Sequence, residues 1–123
     1  MHPDSPKLLE DIRDAGSFVL QVVRDCEQEA YEQNRLARQA VERNFEIIGE
    51  ALNRLSKVDP ETAQRVGPVP QIVAFRNILV HAYDNIDHEI VWHVIQNELP
   101  RLVASVEALM HDTRPDIEEP PED

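Results

Sequence analysis

The sequence predicts an all-α protein: an antiparallel four-helix bundle with one added short helix and a disordered, acidic C-terminal tail. Three observations carry this reading. Apolar residues recur at steps of three and four through each long segment, and none alternates with the period of two that a half-buried strand requires. Turn formers punctuate the chain at Asp59-Pro60, at Gly67-Pro68-Val69-Pro70 and at Asn85. Hydrophobic residues fill 41% of the 123 positions but aromatics only 5%, so the core must be mainly Leu, Ile, Val and Ala. A chain of this size forms one domain and buries roughly two-thirds of its unfolded surface. The helical domain is expected over residues 1–111 and the tail over 112–123.

Residues 5–30 read as the first helix. Ser5 suits the N-cap and Pro6 the first helical position, where its missing N–H costs nothing. Asp4, Glu10 and Asp11 set negative charge near the positive end of the dipole. Leu8, Leu9, Ile12, Ala15, Val19, Val22, Val23 and Cys26 form one stripe, interrupted by Gly16, which costs about 1 kcal/mol relative to Ala in a helix interior. Residues 27–35 are polar and read either as a frayed end with a turn or as an exposed continuation.

The next helix is expected over 36–57. Its stripe is Leu36, Ala37, Ala40, Val41, Phe45, Ile47, Ile48, Ala51, Leu52 and Leu55. A polar line, Arg43, Glu46, Glu50 and Arg54, runs at the same spacing and can pair internally. It is either a solvated face or, through Arg43 and Glu50, support for polar groups on a neighbouring helix. Asp59-Pro60 ends this helix and starts a short one through Val66. A third long helix is expected from about Gln71 to Tyr83. Asp87 is a good N-cap for the fourth, with Glu89 in its first turn, apolar residues from Ile90 to Met110 and a kink expected at Pro100.

The formal charge is −12, and the tail, with six acids against Arg114, holds −5 of it. An acidic body excludes a broad electrostatic nucleic-acid platform, which should be basic, so any RNA contact must be local or completed by a second chain. Cys26 is the one cysteine, so no internal disulfide can form, and its place on the apolar stripe predicts a buried, inert thiol. The N-terminus, with Pro3, Asp4 and Pro6, does not read as a secretory signal, and no apolar run reaches the roughly 18 residues that span a bilayer. A soluble cytoplasmic protein is expected, without membrane contact.

Most chemical motifs fail on spacing. His88 and His93 lie five apart, which puts them on different helix faces and excludes a zincin pair; their plain reading is helix surface or a partly buried amphipath. The three glycines, Gly16, Gly49 and Gly67, are scattered and make no phosphate-cradling loop; Gly49 beside Glu50 suits close helix approach or ordinary packing. No metal and no cofactor are expected.

One constellation survives, in Arg76-Asn77-Ile78-Leu79-Val80-His81-Ala82-Tyr83. Asn77 and His81 are four apart and nearly aligned on a helix, as are Arg76 and Tyr83, seven apart. Arg76 and His81 differ by roughly 140° in azimuth, so an ideal helix keeps them apart. They can border one cleft if the helix ends near Tyr83, or if a second chain brings another copy of the stretch. The set suits cleavage of RNA, where the ribose 2′-OH is an internal nucleophile. An imidazole titrates in the range needed to move its proton, and a guanidinium fork can stabilise charge on the phosphorus oxygens. Asn77 would orient His81 or bind a phosphate oxygen.

The stretch resembles the Arg-x4-His-x-Tyr motif of the HEPN superfamily, in its HepT-like branch. The likeness extends to Ala40-Val41-Glu42-Arg43 with Glu46 to Leu52, and to Ile86 to Trp92 with Leu99-Pro100 and Leu102. It departs at Val69, where the branch often has Trp, at Ala74-Phe75 in place of Gly-Met, and at Asp84-Asn85. The resemblance implies a HEPN-like bundle that forms a homodimer, with two motif helices making a composite RNA-cleaving cleft. It implies a metal-independent endoribonuclease toxin with Arg76 and His81 as catalytic residues and Asn77 lining the site. The implied partner is a minimal nucleotidyltransferase antitoxin that adenylylates Tyr83. The alternative is a non-catalytic module that binds nucleotide or a nucleotidyltransferase without cutting RNA.

Overall fold

A computed structural model describes residues 1–67, 74, 75, 77 and 86–112. Six helices occur among them: α1 (Ser5–Val22), α2 (Gln28–Gln33), α3 (Arg35–Val58), α4 (Pro60–Val66), α5 (His88–Asn97) and α6 (Leu99–Asp112). Ala74, Phe75 and Asn77 are also helical. The all-helical class and the bundle are as expected from the periodicity. The C-terminal tail and most of the expected third long helix lie outside the described residues.

α1 packs along both α3 and α6, and α4 closes against α3 and α6. The core joins Leu9, Ile12 and Val19 of α1 to Val41, Phe45, Ile48, Leu52 and Leu55 of α3 and to Leu99, Leu102 and Val106 of α6, all at most 1% exposed. Gly16 explains how closely α1 and α6 approach. A Cβ there would stand 2.7 Å from Val103 Cγ2 and 3.4 Å from Leu99 Cδ1. The residue that interrupts the stripe is the contact point of two helices.

The N-terminal helix departs from expectation at both ends. Ser5 does not cap it: the helix begins at Ser5, with Asp4 in the cap position and no side-chain cap bond. The buried Ser5 hydroxyl donates instead to Asp59 Oδ2 at 2.7 Å. Asp59 also accepts from the His2 N–H at 3.0 Å, and from the Thr62 N–H and hydroxyl at 3.2 and 2.7 Å. Hydrogen bonds to a carboxylate are the stronger kind, so this long-range acceptor outcompetes a local cap. The Ser5 hydroxyl, then the His2 N–H, then the Thr62 hydroxyl hold the Asp59 carboxyl well below the usual carboxylate range.

At its other end α1 stops at Val22 rather than continuing to residue 30. The chain turns through bonds from the Arg24 N–H to Gln21 and from the Cys26 N–H to Val23. Cys26 is therefore half-buried, not enclosed. The polar segment after it forms α2, whose Tyr31 is fully buried. A tyrosine ring removes a large area from water, enough to fold this otherwise polar turn against α3 and α5.

The remaining elements follow the sequence closely. α3 starts one residue before and ends one residue after its expected bounds, and the Asn34 side chain caps it by accepting from the Ala37 N–H. Leu36, counted in the stripe, is 81% exposed, and Ile90 is 54% exposed. Asp87 caps α5, accepting from the Glu89 and Ile90 N–H groups. The expected kink at Pro100 is a one-residue interruption at Glu98 between α5 and α6. Pro100 thus stands in the first turn of α6, where it displaces no needed N–H.

Candidate functional site

Of the residues singled out for chemistry, Arg76, His81 and Tyr83 lie outside the described residues. Asn77 is helical and exposed. Phe75, two positions earlier, is fully buried and meets Phe45 of α3 edge to face, with ring centroids 5.2 Å apart. Arg43 pairs with Glu46 at 3.0 Å on the exposed face of α3, and Glu50 is exposed on the same helix. An exposed i,i+3 pair of this kind contributes little to stability.

The structure assembles a second polar group that spacing alone did not reveal. The Asp87 cap sets His88 as the first residue of α5. Its Nδ1 lies 2.7 Å from the Tyr31 hydroxyl, and its Nε2 lies 3.0 Å from Glu42 Oε2 of α3. A carboxylate only accepts, so the neutral ring carries its proton on Nε2 and takes the Tyr31 O–H on Nδ1. Trp92, one turn further along α5, packs against Tyr31 at 5.4 Å. The His88 side chain is 15% exposed and that of Glu42 34%. Burial pushes the Tyr31 phenol well above its ordinary value; the Glu42 charge adds to this and the Arg38 charge opposes it. Tyr31 is therefore a neutral, enclosed donor. The relay fixes α2, α3 and α5 to one another and does not present a nucleophile. Its members are 57 and 46 residues apart, so no local pattern announces it. The one usable signal was an isolated tyrosine in a polar segment.

Beside this relay runs an open groove of about 600 Å³, lined by Glu32, Arg38, Ile86, Asp87, His88 and Glu89. Arg38 Nη1 donates to the Glu32 carbonyl at 2.6 Å, which holds the guanidinium on the rim. Glu32 in turn accepts from Gln28 at 2.8 Å. Ile86 and Asp87 are the first described residues after the stretch that carries His81 and Tyr83. Among the described residues no group of three His, Cys, Asp or Glu side chains is arranged to hold a metal ion. No helix among them is long and apolar enough to cross a membrane.

Comparison with known proteins gives a consistent picture. Residues 8–109 match the family model described as "Ribonuclease HepT-like". A Methanocaldococcus jannaschii protein named "Putative RNase" is 32% identical over 104 residues, covering 85% of this chain and 94% of its own length. A Thermococcus cleftensis protein named "Probable ribonuclease HepT" is 32% identical over 104 residues, covering 82% of this chain and 91% of its own. A Caldanaerobacter subterraneus protein, also named "Putative RNase", is 30% identical over 102 residues, 83% of this chain and 90% of its own. No solved structure matches the chain at the same standard.

Proposed function

Because the chain belongs to the HepT-like ribonuclease family, we propose that it is a metal-independent endoribonuclease and the toxin of a toxin–antitoxin pair. The supporting observation is that Arg76, Asn77, His81 and Tyr83 all fall within the matched span and carry the groups that cleavage through a ribose 2′-OH needs. His81 takes the 2′-OH proton as that oxygen attacks phosphorus. Arg76 stabilises the charge on the non-bridging oxygens, and the leaving 5′-oxygen receives a proton. The products are a 2′,3′-cyclic phosphate and a 5′-hydroxyl. One imidazole per chain supplies half of the acid–base pair. A homodimer that sets two such stretches side by side supplies the other half. It also confines RNA contact to one cleft, as a chain of charge −12 requires. The exposed Leu36 and Ile90 give apolar surface for such contact.

The partner in this reading is a minimal nucleotidyltransferase antitoxin that transfers AMP to Tyr83. The added bulk and negative charge would oppose entry of the RNA backbone. The test pairs wild type with His81→Ala, assaying RNA cleavage in EDTA, growth arrest on expression, and helical content as a check on folding. Cleavage and arrest by wild type alone are expected; equal cleavage by the folded variant would remove His81 from the mechanism. Nucleotide binding with no cleavage and no arrest would instead assign a non-catalytic module. Co-expression with the nucleotidyltransferase should add the mass of AMP to wild type and not to Tyr83→Phe.

A further inference from the structure

The groove beside the Tyr31–His88–Glu42 relay is large enough for a small ligand, at about 600 Å³, within the roughly 300–1,000 Å³ typical of such sites. Its charge decides what kind of ligand. Its lining holds three acidic residues, Glu32, Asp87 and Glu89, against one arginine, Arg38. A phosphate group would be repelled on balance. A nucleobase would not, because it offers N–H donors at its edge and a planar face to stack.

The lining residues divide the work. The Arg38 guanidinium, held by the Glu32 carbonyl at 2.6 Å, is a fixed planar cation of the kind on which RNA bases stack. Ile86 adds apolar surface. Asp87 is engaged by the N–H groups of α5, and Glu32 accepts from Gln28. Glu89, exposed in the first turn of α5, is the carboxylate left to meet a base edge. Guanine presents two parallel N–H donors, N1–H and N2–H, that match a carboxylate's two oxygens. Uracil presents one N–H between two carbonyl oxygens, which a carboxylate repels. Ile86 is five positions after His81, a covalent reach of at most about 18 Å. The groove is therefore no further than a few nucleotides from the proposed chemistry.

We infer that this groove seats the base of a nucleotide flanking the cleaved bond, with Arg38 as stacking platform and Glu89 as the residue that selects guanine over uracil. The inference rests on the ribonuclease reading for its role, but its binding chemistry is measurable without cleavage. The experiment titrates GMP and UMP into the full-length wild type, Glu89→Gln and Arg38→Ala, following backbone amide shifts by NMR, and maps cleavage positions on mixed-sequence RNA with the same proteins. Wild type should bind GMP on the order of tenfold more tightly than UMP, as one bidentate base contact allows. The shifts should centre on Arg38, His88 and Glu89. Glu89→Gln should lose most of that discrimination and relax base preference at the cleavage site, while Arg38→Ala should weaken both nucleotides alike. Equal affinities in wild type, or a preference that survives Glu89→Gln, would overturn the inference even if RNA is still cut. Glu89-dependent discrimination in a protein that leaves RNA intact would overturn the ribonuclease reading and keep the base site.

Discussion

Replacing His88 with alanine tests whether the relay is structural support or surface decoration. The substitution leaves the Tyr31 hydroxyl, on a fully buried residue, without its acceptor at 2.7 Å, and the Glu42 carboxylate without its donor at 3.0 Å. An unsatisfied buried hydroxyl costs about 1–3 kcal/mol. Glu42 is one-third exposed, so water compensates it and its share is small. Loss of the ring's edge contact with Tyr31, at 5.5 Å between centroids, adds about 0.5–1 kcal/mol. The sum is about 1.5–4 kcal/mol, a large fraction of a domain's usual stability. For a domain of this size that lowers Tm by about 6–16 °C. Urea unfolding followed by far-ultraviolet circular dichroism measures it. The discriminating comparison is a cycle with Tyr31→Phe, which removes the orphaned hydroxyl. In wild type that change should be destabilising; in the His88→Ala background it should be neutral or stabilising, a coupling of about 1–2 kcal/mol. Additive effects, or a cost of His88→Ala under about 0.5 kcal/mol, would refute the reasoning.

Two further outcomes follow from the packing and the charges. Gly16→Ala places a methyl 2.7 Å from Val103 Cγ2, on a stiff β-branched side chain. Overpacking of about 1–3 kcal/mol should exceed the gain of about 1 kcal/mol in helix propensity, so thermal melting should show net loss, and Val103→Ala in the same chain should turn Gly16→Ala into a gain. The Asp59 carboxyl titrates below its unfolded value, because Ser5, His2 and Thr62 all donate to it. Its contribution to stability is therefore full above about pH 4 and declines as pH falls from there toward its lower folded value. Asp59→Asn should flatten that acid limb in denaturant titrations between about pH 5 and 2, and an unchanged limb would show that other carboxyls govern it.

How much of this was legible in the sequence depended on the range of the forces involved. The bounds of α3, the short helix after Asp59-Pro60, the Asp87 cap and the break near Pro100 are set by neighbours within four residues. Periodicity and capping rules reach that far. Three features were set by residues more than forty positions away. Ser5 turned from cap to staple because Asp59 stands beside it. The polar segment after the first helix packs as α2, where Tyr31 finds its hydrogen-bond partner in His88. His88, read as helix surface or a partly buried amphipath, is the second of these and stands at the centre of a relay because α3 brings Glu42 to it. In each case a local preference yielded to a buried polar group in need of a partner, and such groups are nearly always satisfied. The motif residues stand apart from this comparison: Arg76, His81 and Tyr83 lie outside the described residues, and their reading rests on the type and order of the side chains together with the family resemblance.

The most consequential of these long-range effects concerns one turn of α3. Glu42 and Phe45 stand three residues apart on that helix and therefore on neighbouring positions of one face. Phe45 holds Phe75, just before Arg76, and Glu42 holds His88, five positions after Tyr83. The described residues on both sides of the motif stretch are thus anchored to the same turn of the same helix. Arg76 and His81 are poorly placed to meet within one ideal helix, so under the proposed ribonuclease reading composite chemistry between two copies would depend on where the ends of each stretch are held. A displacement of 1 Å between reacting groups can cost about a hundredfold in rate. The polar line first read as potential support, Arg43 to Glu50, is exposed, with Arg43 paired to Glu46. The carboxylate that reaches the flank of the stretch is its neighbour Glu42, on the half-buried side. Under the ribonuclease reading, Glu42→Gln should keep a hydrogen bond to His88 and most of the activity. Glu42→Ala should lower the rate of cleavage with little change in RNA affinity, the signature of lost positioning rather than lost binding.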